Sequence, residues 1–104
     1  MKMVRAVVRP EKQPAVVSAL ARANFPGLTK WEVTGRGKQQ GIQVGSQIYD
    51  ELAKTMILVV EDSHVETVVE SIREAAFTGY PGDGKIFVSP VEEVYTVRTG
   101  KAEL

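Results

Sequence analysis

Residues 78–88 read TGYPGDGKIFV. Gly79, Pro81, Gly82 and Gly84 fall close together here, a density that forbids a regular element and favours a tight loop with unusual backbone angles. Lys85 and the apolar run Ile86, Phe87 and Val88 follow, so the loop feeds a strand. Clustered glycines can turn successive N–H groups toward one point, a concavity that attracts anions, and Lys85 adds positive charge at its rim. Gly-Asp-Gly is equally an ordinary turn sequence. The Walker A pattern does not fit, because a strand rather than a helix comes after the lysine.

A helix leads into this loop. Ser63 and Glu66 stand in capping-box spacing, Val65, Val68, Val69 and Ile72 form a stripe at helical spacing, and Phe77 ends the element. His64, the one histidine, falls in the first turn as a solvated residue with no second histidine nearby to share a metal. Upstream, residues 55–60 (TMILVV) are the most apolar run in the chain and read as a buried central strand. At the N-terminus Val4, Ala6 and Val8 alternate on one face of a strand stopped by Pro10. A first helix follows, with Val16, Ala19, Leu20 and Ala23 at helical spacing and Pro14 in its first turn, ended by residues 24–27 (NFPG). Residues 28–34 make a second strand with Thr29, Trp31 and Val33 on one face. Beyond the glycine loop, residues 86–89 form a fourth strand, and after Pro90 residues 91–99 resume an extended pattern with Tyr95 and Val97 on one face.

The order strand, helix, strand, strand, helix, strand is the split βαβ arrangement of ferredoxin-like α+β domains, with two helices on one face of an antiparallel sheet. Residues 35–53 (GRGKQQGIQVGSQIYDELA) carry four glycines and read as a mobile loop between the second and third strands. The uncovered sheet face, with Trp31 and Tyr95, needs a partner, and self-association is the simplest.

Composition narrows the classes. The chain has 104 residues, enough for one domain that buries roughly two thirds of its unfolded surface. Thirteen basic and thirteen acidic residues balance to zero net charge, without the positive field that nucleic-acid binding requires. Zero cysteines exclude a disulfide framework, a thiolate metal site and a cysteine nucleophile. Lys2, Arg5 and Arg9 interrupt the N-terminal apolar residues, and no apolar run is long enough for direct membrane insertion, so a cytoplasmic protein is expected.

Residues 35–41 (GRGKQQG), 78–88 and 97–100 (VRTG) together resemble the PII family of nitrogen-regulatory signal proteins, and residues 78–88 match its signature TGxxGDGKIFV. The resemblance covers nearly the whole chain. It implies a single PII-like domain over residues 1–104 that forms a homotrimer, with residues 36–53 as the mobile effector loop, or T-loop, and residues 78–85 as the phosphate-wrapping B-loop. It further implies ATP or ADP bound in clefts between subunits. Thr29, Gly35, Gly37, Lys38 and Gln39 would lie along the nucleotide, Val60 beside the base, and Gly82, Asp83, Gly84 and Lys85 around the phosphates. Arg98 would close the cleft from the neighbouring subunit, while Thr96 stands where the family has another arginine, which leaves the choice between ATP and ADP open. Gln39 would hold Mg²⁺ while 2-oxoglutarate chelates the same ion, with Gln40, Gly41, Lys54 and Gly82 completing the 2-oxoglutarate site. The residue types suit those roles: Lys38, Lys85 and Arg98 make charge-assisted bonds to phosphate oxygens, and an amide oxygen is a ligand for a hard cation.

Departures from the family pattern indicate a branch. The YRGAEY segment is missing, and Tyr49 in QIYDELAKTM does not stand at the position modified in other members. The loop is similar instead to the nitrogenase-associated branch. That likeness implies a regulator which, with a second PII paralogue, inhibits dinitrogenase when fixed nitrogen is plentiful and releases it when 2-oxoglutarate and ATP bind. The alternative is a PII regulator of an ammonium transporter or of nitrogen-assimilation enzymes. In either case the resemblance implies a regulator of transcription or enzyme activity and not an enzyme. The rivals are an enzyme using Asp83 as a general base, and a structural trimer that binds no nucleotide.

Overall fold

The computed structural model of the chain describes residues 1–36, 42–44, 47–49, 52–61 and 63–104. Strand β1 (Lys2–Val8) leads through a 3₁₀ turn (Pro10–Lys12) into α1 (Gln13–Arg22); β2 (Thr29–Gly35), β3 (Ile42–Val44), β4 (Gln47–Tyr49) and β5 (Leu52–Glu61) follow, then α2 (Val65–Ala76) and β6 (Gly84–Pro90). The four long strands form one antiparallel sheet in the order β2-β5-β1-β6. Placing the first and third of these strands at the centre and the second and fourth at the edges gives the ferredoxin-like α+β fold.

Alternation along β1 decides which face is covered. Val4, Ala6 and Val8 are buried, and their partners on β5 across the register are Val59, Ile57 and Thr55. Both helices lie on that face: Val16 and Leu20 of α1, four residues apart, and Val68, Ile72 and Ala76 of α2, each four apart, close over it. Removing this surface from water contributes ~2 kcal/mol for each large aliphatic side chain. Helix α1 ends in a Schellman arrangement. The Phe25 amide donates to the Leu20 carbonyl and the Asn24 amide to that of Ala21, with Asn24 in the left-handed region at φ 70° and Phe25 packed against the core.

Two local expectations are corrected. Ser63 and Glu66 do not form a capping box; His64 is the N-cap residue and makes no side-chain cap. The carboxylate of Glu61, buried at the end of β5, accepts the amides of Ser63 and His64 and satisfies the helix entrance from the strand side. Residues 91–99 do not form a further strand. Tyr95 pairs with Ala102 in an isolated bridge that closes a turn, in which Thr96 N donates to Lys101 O (2.9 Å), Gly100 N to Thr96 O (2.7 Å), and Gly100 has φ 70°. The alternation of Tyr95 and Val97 has no face to bury, since Val97 is 99% exposed, and Tyr95 lies outside the sheet that carries Trp31.

The other sheet face is open and apolar. The register sets Trp31 beside Met56 and Met56 beside Val7, then Thr29 beside Leu58, Leu58 beside Arg5, and Arg5 beside Phe87. Trp31 is 42% and Phe87 50% exposed, as the sequence leads one to expect of a face in want of a partner. Within the span expected as a loop, β3 and β4 pair with each other, a hairpin that the polar, glycine-rich composition did not announce. Gly35 and Leu52 pair at its root.

Candidate functional site

The antiparallel register brings the ends of four strands to one place. Val8 of β1 faces Gly84 of β6, Thr55 of β5 faces Val8, and Val33 of β2 faces Lys54. Arg9, Lys54, Gly35 and the loop entering β6 therefore share one end of the sheet. A Cβ built on Gly35 would lie 3.5 Å from Lys54 Cγ.

The loop is organised around Asp83. Its carboxylate accepts the Thr78 amide (2.8 Å), the Gly79 amide (3.0 Å) and the Thr78 hydroxyl, and forms an ion pair with Arg9 Nε at 3.1 Å. Partial burial works against its charged form, but the hydrogen bonds from Thr78, Gly79 and Arg9 outweigh it and hold the carboxyl well below the usual carboxylate range. A carboxylate so saturated with donors is a poor proton acceptor, which weighs against the general-base reading. Gly79, Gly82 and Gly84 all have positive φ. At Gly84 (φ 116°) an added Cβ would fall 1.8 Å from the Val7 carbonyl oxygen, so this glycine is required by the close approach of β1 as well as by its dihedral.

Two cations from the sheet hold the outer part of the loop. Arg9 Nη2 donates to the Pro81 carbonyl at 2.8 Å, and Lys54 Nζ donates to the Gly82 carbonyl at 2.6 Å. Burial, and secondarily the nearby Arg9 charge, push the Lys54 ammonium below its ordinary value. Lys85, on the open sheet face opposite Val7, is exposed and makes no ion pair among the described residues.

The structure thus brings Gly35, Lys54, Gly82, Asp83, Gly84 and Lys85 together. Thr29 and Val60 sit farther along the sheet, Thr29 paired with Leu58 and Val60 with Met3. Leu58 is four residues from Lys54, about 13 Å at the rise of a strand, so these residues line an elongated surface and not a compact pocket. Arg98 is exposed on the C-terminal turn, and among the described residues no hydrogen bond or ion pair joins it to the glycine loop. Gly37, Lys38, Gln39, Gln40 and Gly41, and with them the expected Mg²⁺ ligand, lie outside the described residues. Among the described residues no cluster of His, Asp or Glu suits a metal ion, and no helix is long and apolar enough to cross a membrane. Arg9 is the participant that the sequence reading missed; its partners are more than seventy residues away, and only the β1–β6 register discloses it.

The chain is similar to known proteins over nearly its whole length. A profile of the family described as nitrogen regulatory protein P-II matches residues 1–101. The chain is 61% identical over 100 residues to "Nitrogen fixation nifHD region glnB-like protein 1" of Methanococcus maripaludis, with 95% of each chain covered. It is 58% identical over 100 residues to the protein of the same description in Methanothermobacter marburgensis, again with 95% of each covered. It is also 48% identical over 107 residues to "Nitrogen regulatory protein P-II 2" of Methanothermobacter thermautotrophicus, covering 98% of this chain and 93% of that one. With nearly its whole length matched and its glycine loop built as described, the chain belongs to the P-II family of nitrogen regulatory proteins, alongside relatives named for nitrogen-fixation regions.

Proposed function

We propose that this protein is a cytoplasmic PII-type sensor of ATP, ADP and 2-oxoglutarate that restrains dinitrogenase when fixed nitrogen is plentiful, acting with a second PII paralogue. The observation that carries the reading is the position of the loop of residues 78–85. It sits beside Lys54 and Gly35, at the root of the segment that would contact a partner. Nucleotide phosphates would lie against Gly82, Asp83, Gly84 and Lys85, with Lys38 from the effector loop adding charge and Thr29, Gly35, Gly37 and Val60 along the rest of the nucleotide. The open sheet face would be covered by two further copies, so that Arg98 on the exposed C-terminal turn reaches a neighbour's site. Gln39 would hold Mg²⁺, which would supply a shared anchor for phosphate and 2-oxoglutarate oxygens, with Gln40, Gly41 and Gly82 beside the keto acid.

Lys54 would connect the ligands to the loop. Its ammonium donates to the Gly82 carbonyl. A dicarboxylate is a stronger acceptor, so its arrival would draw Lys54 from that carbonyl and alter both the glycine loop and the root of residues 36–53. A ligand favouring one loop conformation shifts partner affinity by its differential affinity for the two conformations. The test is an acetylene-reduction assay of the dinitrogenase from the same cells. Inhibition by this protein together with its paralogue, relieved by 2-oxoglutarate with Mg-ATP, is expected; unchanged reduction at saturating protein contradicts the reading.

A further inference from the structure

Asp83 and the two carbonyls before it face inward, toward cations. Arg9 spans two of these acceptors at once, Nε on the Asp83 carboxylate at 3.1 Å and Nη2 on the Pro81 carbonyl at 2.8 Å, while Lys54 takes the Gly82 carbonyl at 2.6 Å. Peptide planes are rigid and here trans, so each carbonyl points opposite the amide that follows it. With the Pro81 and Gly82 carbonyls drawn toward the sheet, the Gly82 and Asp83 amides face the other way. Neither of these amides donates to a protein group among the described residues.

We propose that Arg9 is a positioning residue of the anion site: by holding the Pro81 carbonyl and the Asp83 carboxylate together, it turns the Gly82 amide toward the bound phosphates without touching them itself. The guanidinium suits this task because its fork presents two donors in fixed geometry, whereas an ammonium is a point charge that satisfies one acceptor well. Arg9 is placed by β1, whose last residue, Val8, pairs with Gly84, so the rigid centre of the sheet sets the loop's orientation. The C-terminal end of β1 acts in this way on a loop that begins nearly seventy residues later in the chain.

The inference rests on the nucleotide-binding reading of the loop, and the experiment separates the two. In the full-length protein without nucleotide, hydrogen–deuterium exchange compares wild type, Arg9→Met and Arg9→Lys. Titration calorimetry with Mg-ATP then covers these three proteins, Asp83→Asn and the double variant Arg9→Met/Asp83→Asn. Loss of a charge-assisted pair predicts exchange about tenfold faster at residues 78–83 in Arg9→Met, unchanged exchange at Ile57 and Val59, and Mg-ATP affinity about tenfold weaker, with Arg9→Lys between. Because Arg9 and Asp83 share one ion pair, the double variant loses less affinity than the product of the two single losses. Unchanged loop exchange in Arg9→Met overturns the proposal, and so do affinity losses that multiply in the double variant, which would put Arg9 on the ligand itself. A wild-type protein that binds no Mg-ATP would overturn the functional reading, and Arg9's hold on the loop would then be decided by the exchange rates alone.

Discussion

Two glycine-containing turns of this protein are built on opposite plans. The loop of residues 78–85 is tied by side chains reaching from distant elements, Arg9 beyond β1 and Lys54 on β5, and by the Asp83 carboxylate at its centre. The turn of residues 96–101 is closed on itself, by backbone bonds between Thr96, Gly100 and Lys101 and weak contacts from the Thr96 and Thr99 hydroxyls to Glu103. One is set by the fold of the single chain. The other leaves Val97 and Arg98 exposed. The difference teaches what the fold of one chain orders by itself: the loop of residues 78–85 is held from distant elements, while Val97 and Arg98 stand free of the sheet.

Substitutions at one positive-φ glycine from each turn, Gly84 and Gly100, break the comparison most sharply. Gly84→Ala drives a Cβ into the Val7 carbonyl at 1.8 Å, so either the β1–β6 pairing or the loop must open. A loss of more than about 3 kcal/mol in urea unfolding is expected. Gly100→Ala has the same sign of φ but nothing within 4 Å of the new atom, and about 1 kcal/mol is expected. Similar costs at both positions would refute the claim that only the first turn is built into the sheet.

Asp83→Asn comes next. It weakens the bonds to Thr78, Gly79 and Arg9 and should cost about 1–3 kcal/mol. Its signature lies in acid. The folded carboxyl is held below its unfolded value of about 3.9, so its contribution is complete above about pH 5 and drains as pH falls toward the folded value. The stability gap between wild type and Asp83→Asn should therefore narrow from pH 5 to pH 3; a constant gap would show that the charge is not what organises the loop.

Arg98→Ala sharpens the other side. Unfolding of the chain should change by less than about 0.5 kcal/mol, as for an exposed side chain without partners, while Mg-ATP affinity falls about tenfold through loss of a charge-assisted bond. An unchanged affinity would mean that the C-terminal turn does not reach a neighbouring site.

Much of this was legible in the sequence, for identifiable reasons. The buried stripes of β1 and α2 follow from periodicity alone, since Val4, Ala6 and Val8, and Val68 and Ile72, have one face each to hide, whereas β5 announced itself as an apolar run and buries only alternate residues of that run, Ile57 and Val59 among them. The glycine loop declared itself because positive dihedrals demand glycine. Glu61 as the support of the α2 entrance was hidden because its acceptor comes from the preceding strand, outside the window of a capping motif. Tyr95 and Val97 misled because alternation states a preference for a buried face without showing that one exists. Arg9 was invisible until β1 and β6 were set in register.

The most direct test of the sensor account is calorimetric titration of 2-oxoglutarate into the purified protein, once with Mg-ATP and once with Mg-ADP. The account predicts binding with Mg-ATP and none with Mg-ADP, and, because coupling is reciprocal, tighter Mg-ATP binding when 2-oxoglutarate is present. Binding of equal strength with both nucleotides, or with neither, would contradict it.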